Sequence, residues 1–205
     1  MTRSARRRTR RAALWVVPLV GAVAVATVWT TLHAAGSETG SGSTGQQQDR
    51  AEGILGYKPE VRDIAKAKDE VDSASSRELD WMKVRGSVTR PGAAAHTCQA
   101  VDPDFETYYV VNHPWSVYDL KKGSFDEAMD NLRKTLPEKG WKITKDGPMR
   151  TKDADPEIVA VQPDSHHTLT VQWLKPARPG RKELISVDVD SRCFRAPEGV
   201  DPYSG

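Results

Sequence analysis

Apolar and polar positions fall into three regimes along this chain. From Ala12 to Ser37 no side chain is charged, and Ala13 to Leu32 reads ALWVVPLVGAVAVATVWTTL. That is about the 20 residues needed to cross roughly 30 Å of hydrocarbon, and a helix there satisfies its own backbone hydrogen bonds. Trp15 and Trp29 stand near the two ends of the run, where amphipathic rings favour the interface. Gly36 to Asp49 (GSETGSGSTGQQQD) follows without a large apolar residue. It buries too little to offset its ordering entropy, so a flexible tether is expected.

Beyond the tether the periodicity changes to that of a folded domain. Val61, Ile64, Ala67, Val71, Ala74 and Met82 recur at roughly helical spacing, which predicts a helix from Pro59 to about Lys83. Ser73, Ser75 and Ser76 weaken its middle and predict a break near Ser75. A second helix is predicted from Ser124 to Lys139. Ser124 and Glu127 make a capping box, and Phe125, Met129, Leu132 and Leu136 share one face. Pro137 and Gly140 are expected to stop it.

Strands are predicted around that helix. Glu106 to Asn112 and Trp141 to Lys145 are rich in aromatic and β-branched residues. Glu157 to Gln162 and Thr168 to Leu174 flank a turn-like PDSHH stretch and should form a hairpin. Leu184 to Asp190 alternates apolar and polar positions, after a loop at Pro176 to Gly180. Strand, helix, then a run of strands predicts an α+β fold, with helices packed on a mainly antiparallel sheet.

Charge gives the chain a direction. Arg3, Arg6, Arg7, Arg8, Arg10 and Arg11 abut the apolar run, and setting them aside leaves 24 basic groups against 28 acidic ones. The net charge of +2 therefore conceals a basic tail on a mildly acidic body, which disfavours nucleic-acid binding. Positive flanks stay cytoplasmic. The expected organisation is a cytoplasmic tail at 1–11, a single-pass membrane anchor at 12–35, a linker at 36–50 and an extracytoplasmic domain at 51–205. Cleavage as a secretory leader after Ala34 or Ala35 is the alternative, although Leu32 or His33 would then occupy the upstream specificity position.

Cys98 and Cys193 both fall in the outer region. In an oxidising envelope such a pair tends to form a disulfide, here tying the segment before the first predicted strand to the end of the last.

No residue set points to catalysis. His166 and His167 are adjacent in a turn, where neighbouring side chains point apart, so a metal site is not expected there. His96 and Cys98 form an H-x-C pair, but the cysteine is assigned to the disulfide. Asp102, Asp104 and Glu106 alternate like calcium ligands yet lack the glycine and distal glutamate of an EF-hand. Asp188 and Asp190 are expected to keep a strand face soluble. No cofactor or metal is implied. Tyr108, Tyr109, His113, Trp115 and Tyr118 concentrate aromatic rings within eleven positions and form the candidate binding surface for an envelope protein or a cell-wall glycan. Alternation along a strand puts Tyr108 and Tyr109 on opposite faces, so at least one is expected outward or at an edge.

The layout resembles small extracytoplasmic envelope proteins of actinobacteria, including LppA-like lipoprotein ectodomains. The features that carry the resemblance are the Arg-rich start, the Ala/Val-rich span and the Trp81 to Cys98 stretch. Lys139-Gly140-Trp141 after the helix and Val189-Asp190-Ser191-Arg192-Cys193 at the end of the last strand complete it. It covers roughly residues 60–195 but departs from those lipoproteins in lacking the lipidated cysteine. The resemblance implies an envelope location and transfers no functional residues. The expectation is a membrane-anchored binding or accessory protein, with an envelope enzyme built from dispersed residues as the alternative.

Overall fold

A computed structural model describes residues 42–202, apart from 90, 105 and 177. The expected basic tail and membrane anchor lie outside the described residues. Among the described residues no helix is long and apolar enough to cross a membrane.

Helices α1 (Gly42–Leu55), α2 (Ile64–Ser75) and α3 (Glu78–Met82) precede the short strands β1 (Arg85–Val88) and β2 (Ala94–Thr97). The long strand β3 (Tyr108–Lys122) follows, then α4 (Phe125–Glu138). A meander of β4 (Lys142–Pro148), β5 (Pro156–Val161), β6 (Thr168–Leu174) and β7 (Leu184–Asp190) leads to β8 (Phe194–Arg195). Among the described residues the eight strands form one sheet in the order β1-β3-β7-β6-β5-β4, with β2 and β8 also on β3. Every pairing between these strands is antiparallel. The crossover through α4 drops the chain at the far edge, and the meander walks back until β7 closes on β3. The domain is thus the α+β arrangement expected.

One sheet face is the core. Ile158, Leu169, Val171, Ile185, Val187, Val189 and Val117 are fully buried there. They meet Ala67 and Val71 from α2 and Met129, Leu132 and Leu136 from α4. Helix α2 lies over β3 and β7, and α4 over β4 and β5. The period-2 burial of β6 and β7 follows from this single covered face.

α4 begins as its sequence predicts. Ser124 Oγ accepts from the Glu127 amide at 3.2 Å, and Glu127 Oε2 accepts from the Ser124 amide at 3.0 Å. Pro137 sits inside the last turn rather than ending it. Ser124→Ala is expected to cost about 1 kcal/mol, read as a lower urea midpoint at unchanged slope.

Three differences from expectation bear on the site or on its frame. The helix expected from Pro59 begins at Ile64, capped by Asp63, whose side chain accepts from the Lys66 amide. The residues before it are extended because they pair with β8: Arg62 N donates to Arg195 O, and Arg195 N to Glu60 O. The expected break near Ser75 falls where α2 ends and α3 begins.

Second, residues 42–50 of the expected tether are helical. Helix α1 carries that polar stretch into Ala51, which packs on Cys98, Tyr108 and Cys193. Third, β3 does not stop at Asn112 but runs through Pro114 to Lys122. β2 pairs with β3 only as far as Asn112, and β1 only from Val117. Thr89 exchanges bonds with Ser116 on that edge, so the even-numbered amides point there. The missing N–H of Pro114 therefore falls in the gap between two ladders and forfeits no ladder bond.

Candidate functional site

The same gap in the edge of β3 opens a cleft of about 360 Å³. Asp72, Ser75 and Ser76 from the last turn of α2 and Leu79 from α3 form one wall. Val88 at the end of β1 and Thr89 and Gly92 beyond it form the second, and His113 and Trp115 of β3 the floor. These side chains reach the cleft for simple reasons of register. His113 and Trp115 are odd-numbered positions of β3 and point to the covered face, opposite Val189 and Val187. Ser75 and Asp72 lie three apart at the end of α2, the helix that covers that face.

The floor is tied down. The Trp115 indole N–H donates to Ser75 Oγ at 2.8 Å. Ser76 Oγ donates to the Asp72 carbonyl, and Thr89 Oγ1 and Ser116 Oγ share a bond. His113 is 7% exposed, and its Nδ1 is buried without a hydrogen bond, 3.5 Å from Asp72 Oδ1. The Asp72 side chain, 52% exposed, brings the carboxylate to the rim.

The Asp72 carboxylate faces Nδ1, but no hydrogen bond fixes the orientation of the His113 ring from that side. The hydroxyls nearby are spoken for by Trp115, Asp72 and Ser116, and none of those bonds goes to His113. The cleft thus offers a polar rim, an aromatic floor and the apolar groups of Leu79 and Val88.

Of the candidate surface residues, only His113 and Trp115 meet in this cleft. Tyr109 is fully buried, its hydroxyl donates to the Arg62 carbonyl, and its ring packs 5.8 Å from Phe194. Burial raises its pKa well above the tyrosine range. Tyr108 points to the opposite face, yet it too is buried, at 1% exposure. The expectation of an outward tyrosine fails because α1 and the disulfide cover that corner. Tyr118 lies under the Lys182 ammonium, 5.1 Å from the ring centroid, away from the cleft.

The other singled-out residues have structural duties. Cys98 and Cys193 are bonded, with Cα atoms 5.8 Å apart. Asp102 is buried and accepts from the amides of Thr107 and Tyr108 at 2.6 and 2.7 Å. His96 pairs with Val110 at the sheet edge. Asp188 and Asp190 both accept from the Asn112 amide on the second sheet face. Burial raises the Asp190 pKa, and the Asn112 bond opposes it. His166 stacks on Tyr57 at 6.2 Å, while His167 is buried on the other side. Among the described residues no group of three His, Cys, Asp or Glu side chains could hold a metal ion.

The sequence reading missed Asp72, Ser75, Ser76 and Thr89 because they lie on separate segments that only the fold joins. It also missed Glu78, which is fully buried with both carboxylate oxygens unpartnered. Its signal was present: Glu78 falls seven residues after Val71 and four before Met82, on the apolar stripe. Compared with protein-family models, with curated proteins and with solved structures, the chain matches none of them.

Proposed function

We propose that this chain is a membrane-anchored accessory module of the cell envelope that binds its partner through the cleft between α2 and β3. The cleft carries the reading: an aromatic floor, an imidazole and a rim carboxylate converge in a space of about 360 Å³. Concave sites that combine apolar walls with a few placed polar groups are the usual form of a binding pocket. The envelope location is supported by the arginine-flanked apolar run at 13–32 and by the Cys98–Cys193 bond, which suits an oxidising compartment. The bound element is a sugar unit or side chain of a cell-wall glycan or envelope protein, which a cleft of about 360 Å³ accommodates.

A second reading, an envelope enzyme, is favoured by the Asp72–His113 pairing alone. One experiment separates the two. Soluble cell-wall glycan fragments are titrated into the full-length chain while the Trp115 indole N–H resonance is followed. In membranes, a photo-reactive residue replaces Ser76, with Lys134 on the exposed face of α4 as control. Binding without turnover, blocked by Ser76→Trp, is expected. Turnover lost in His113→Ala would favour the enzyme. A silent Trp115 together with equal capture at 76 and 134 would remove the cleft from both readings.

A further inference from the structure

α2 is seated on the sheet between two buried imidazoles. His113 lies along one edge, in the cleft. Along the other edge is a shallower depression lined by Asp69, Glu70, Ser73 and Arg77, with Gln162 and His167 across from them. His167 is 6% exposed, and its Nδ1 is buried with no hydrogen bond. The turn holds the imidazole against the helix. Gln162 N donates to His167 O at 2.9 Å, His166 N to Gln162 O at 2.8 Å, and Ser165 Oγ to Gln162 Oε1 at 2.7 Å.

The two histidines differ in what would receive a proton's charge. His113 has the Asp72 carboxylate within ion-pair reach. Around His167, Glu70 favours a cation, but Glu70 already pairs with Arg62. Arg192, Arg62 and Arg77 oppose one, and Asp69 lines the same depression. Burial acts most strongly and holds the His167 pKa below the ordinary histidine range.

We propose that the seam between α2 and the β5–β6 turn is a proton-released clasp on the cleft, in which proton uptake by His167 unseats the helix that forms the cleft wall. The regulation rests on the cleft being the binding site. Its sign follows from which state holds the proton more readily. The freed imidazole, with an ordinary pKa of about 6.5, takes a proton more readily than the seated one. Seating is therefore fully favoured above that pH and weakens as pH falls below it.

Amide hydrogen exchange on the full-length chain at pH 7.5 and 5.5, corrected for intrinsic rates, tests this. Measured in the Glu78→Met chain, which removes the opposing pH dependence of that buried carboxyl, opening of residues 64–75 should rise by up to about tenfold at the lower pH, while α4 stays unchanged. His167→Gln and the apolar His167→Phe should both flatten the response. The imidazole resonances of the unaltered chain give a variant-free check, with His167 remaining neutral below the pH at which an exposed histidine is half protonated. Equal loosening of α2 and α4 overturns the clasp. So does an α2 response that survives both variants or vanishes only in His113→Gln. Binding of the soluble cell-wall glycan fragments at pH 7.5 alongside a flat exchange response defeats the clasp and spares the cleft reading, and a responsive α2 in a chain whose cleft binds none of them does the reverse.

Discussion

Replacing both cysteines, as Cys98→Ala with Cys193→Ala, is expected to lower the unfolding free energy by about 4 kcal/mol. The bond joins residues 95 positions apart, and closing a loop near 100 residues removes about 4–5 kcal/mol of chain entropy from the unfolded ensemble, with roughly 2–5 kcal/mol the usual loss on removing a native bridge. For a domain of this size that is a fall in Tm of roughly 10 °C. The loss should also be local. The sulfurs share a small cluster with Ala51, Tyr108, Leu55 and Val101, and Ala51 is the buried residue of α1 among its described side chains. Amide exchange in α1 should therefore rise before that of α4. Urea unfolding of the double variant checks the magnitude, and a loss under about 1 kcal/mol would contradict the chain-entropy account.

Glu78 should make the domain less stable as pH rises, opposite to the trend that paired carboxylates give. Its carboxyl is fully buried, and neither oxygen has a partner. Its own backbone amide and the Arg77 charge favour the ionised form, but burial outweighs both. Burial pushes its pKa from 4.5 up to about 8. The folded chain thus keeps a proton that the unfolded chain releases. Its contribution is fully present below pH 4.5 and is lost as pH rises to about 8, at ~1.4 kcal/mol per pH unit.

At pH 7 the accumulated penalty is on the order of 3 kcal/mol. Glu78→Met, which fills similar volume without a polar group, should recover about 1–3 kcal/mol at pH 4.5, the cost of a neutral carboxyl buried without a partner, and about 3 kcal/mol more at pH 7. Denaturant curves for both chains at pH 4.5, 6 and 8 give the comparison. A parallel offset at all three values would mean that Glu78 is not ionising on unfolding.

How much of the site was legible depended on how far its residues reach. His113 and Trp115 stood out as aromatic and polar side chains crowded around a proline, and both line the cleft. Their neighbours Tyr108 and Tyr109 carried the same signal and proved to be packing. Strand alternation assigned the two tyrosines to opposite faces, but it cannot say that α1 covers the second face at that corner. Asp72 and Thr89 carried no signal, being ordinary exposed residues, and Ser75, marked only as a helix break, is buried under Trp115.

Local chemistry let the sequence by itself determine α4, with its Ser124–Glu127 box, and the strands Thr168–Leu174 and Leu184–Asp190, whose alternation matches one buried face. Caps, turns and periodicity act within a few residues, so a linear reading sees them. What only the tertiary structure decided depends on partners far away in sequence. Residues 60–62 pair with β8 rather than start the helix because Glu60 and Arg62 bond to Arg195. α1 ends in a turn that packs on a bridge between residues 98 and 193. β3 tolerates Pro114 because two separate strands leave a gap at that position, and the gap is the cleft.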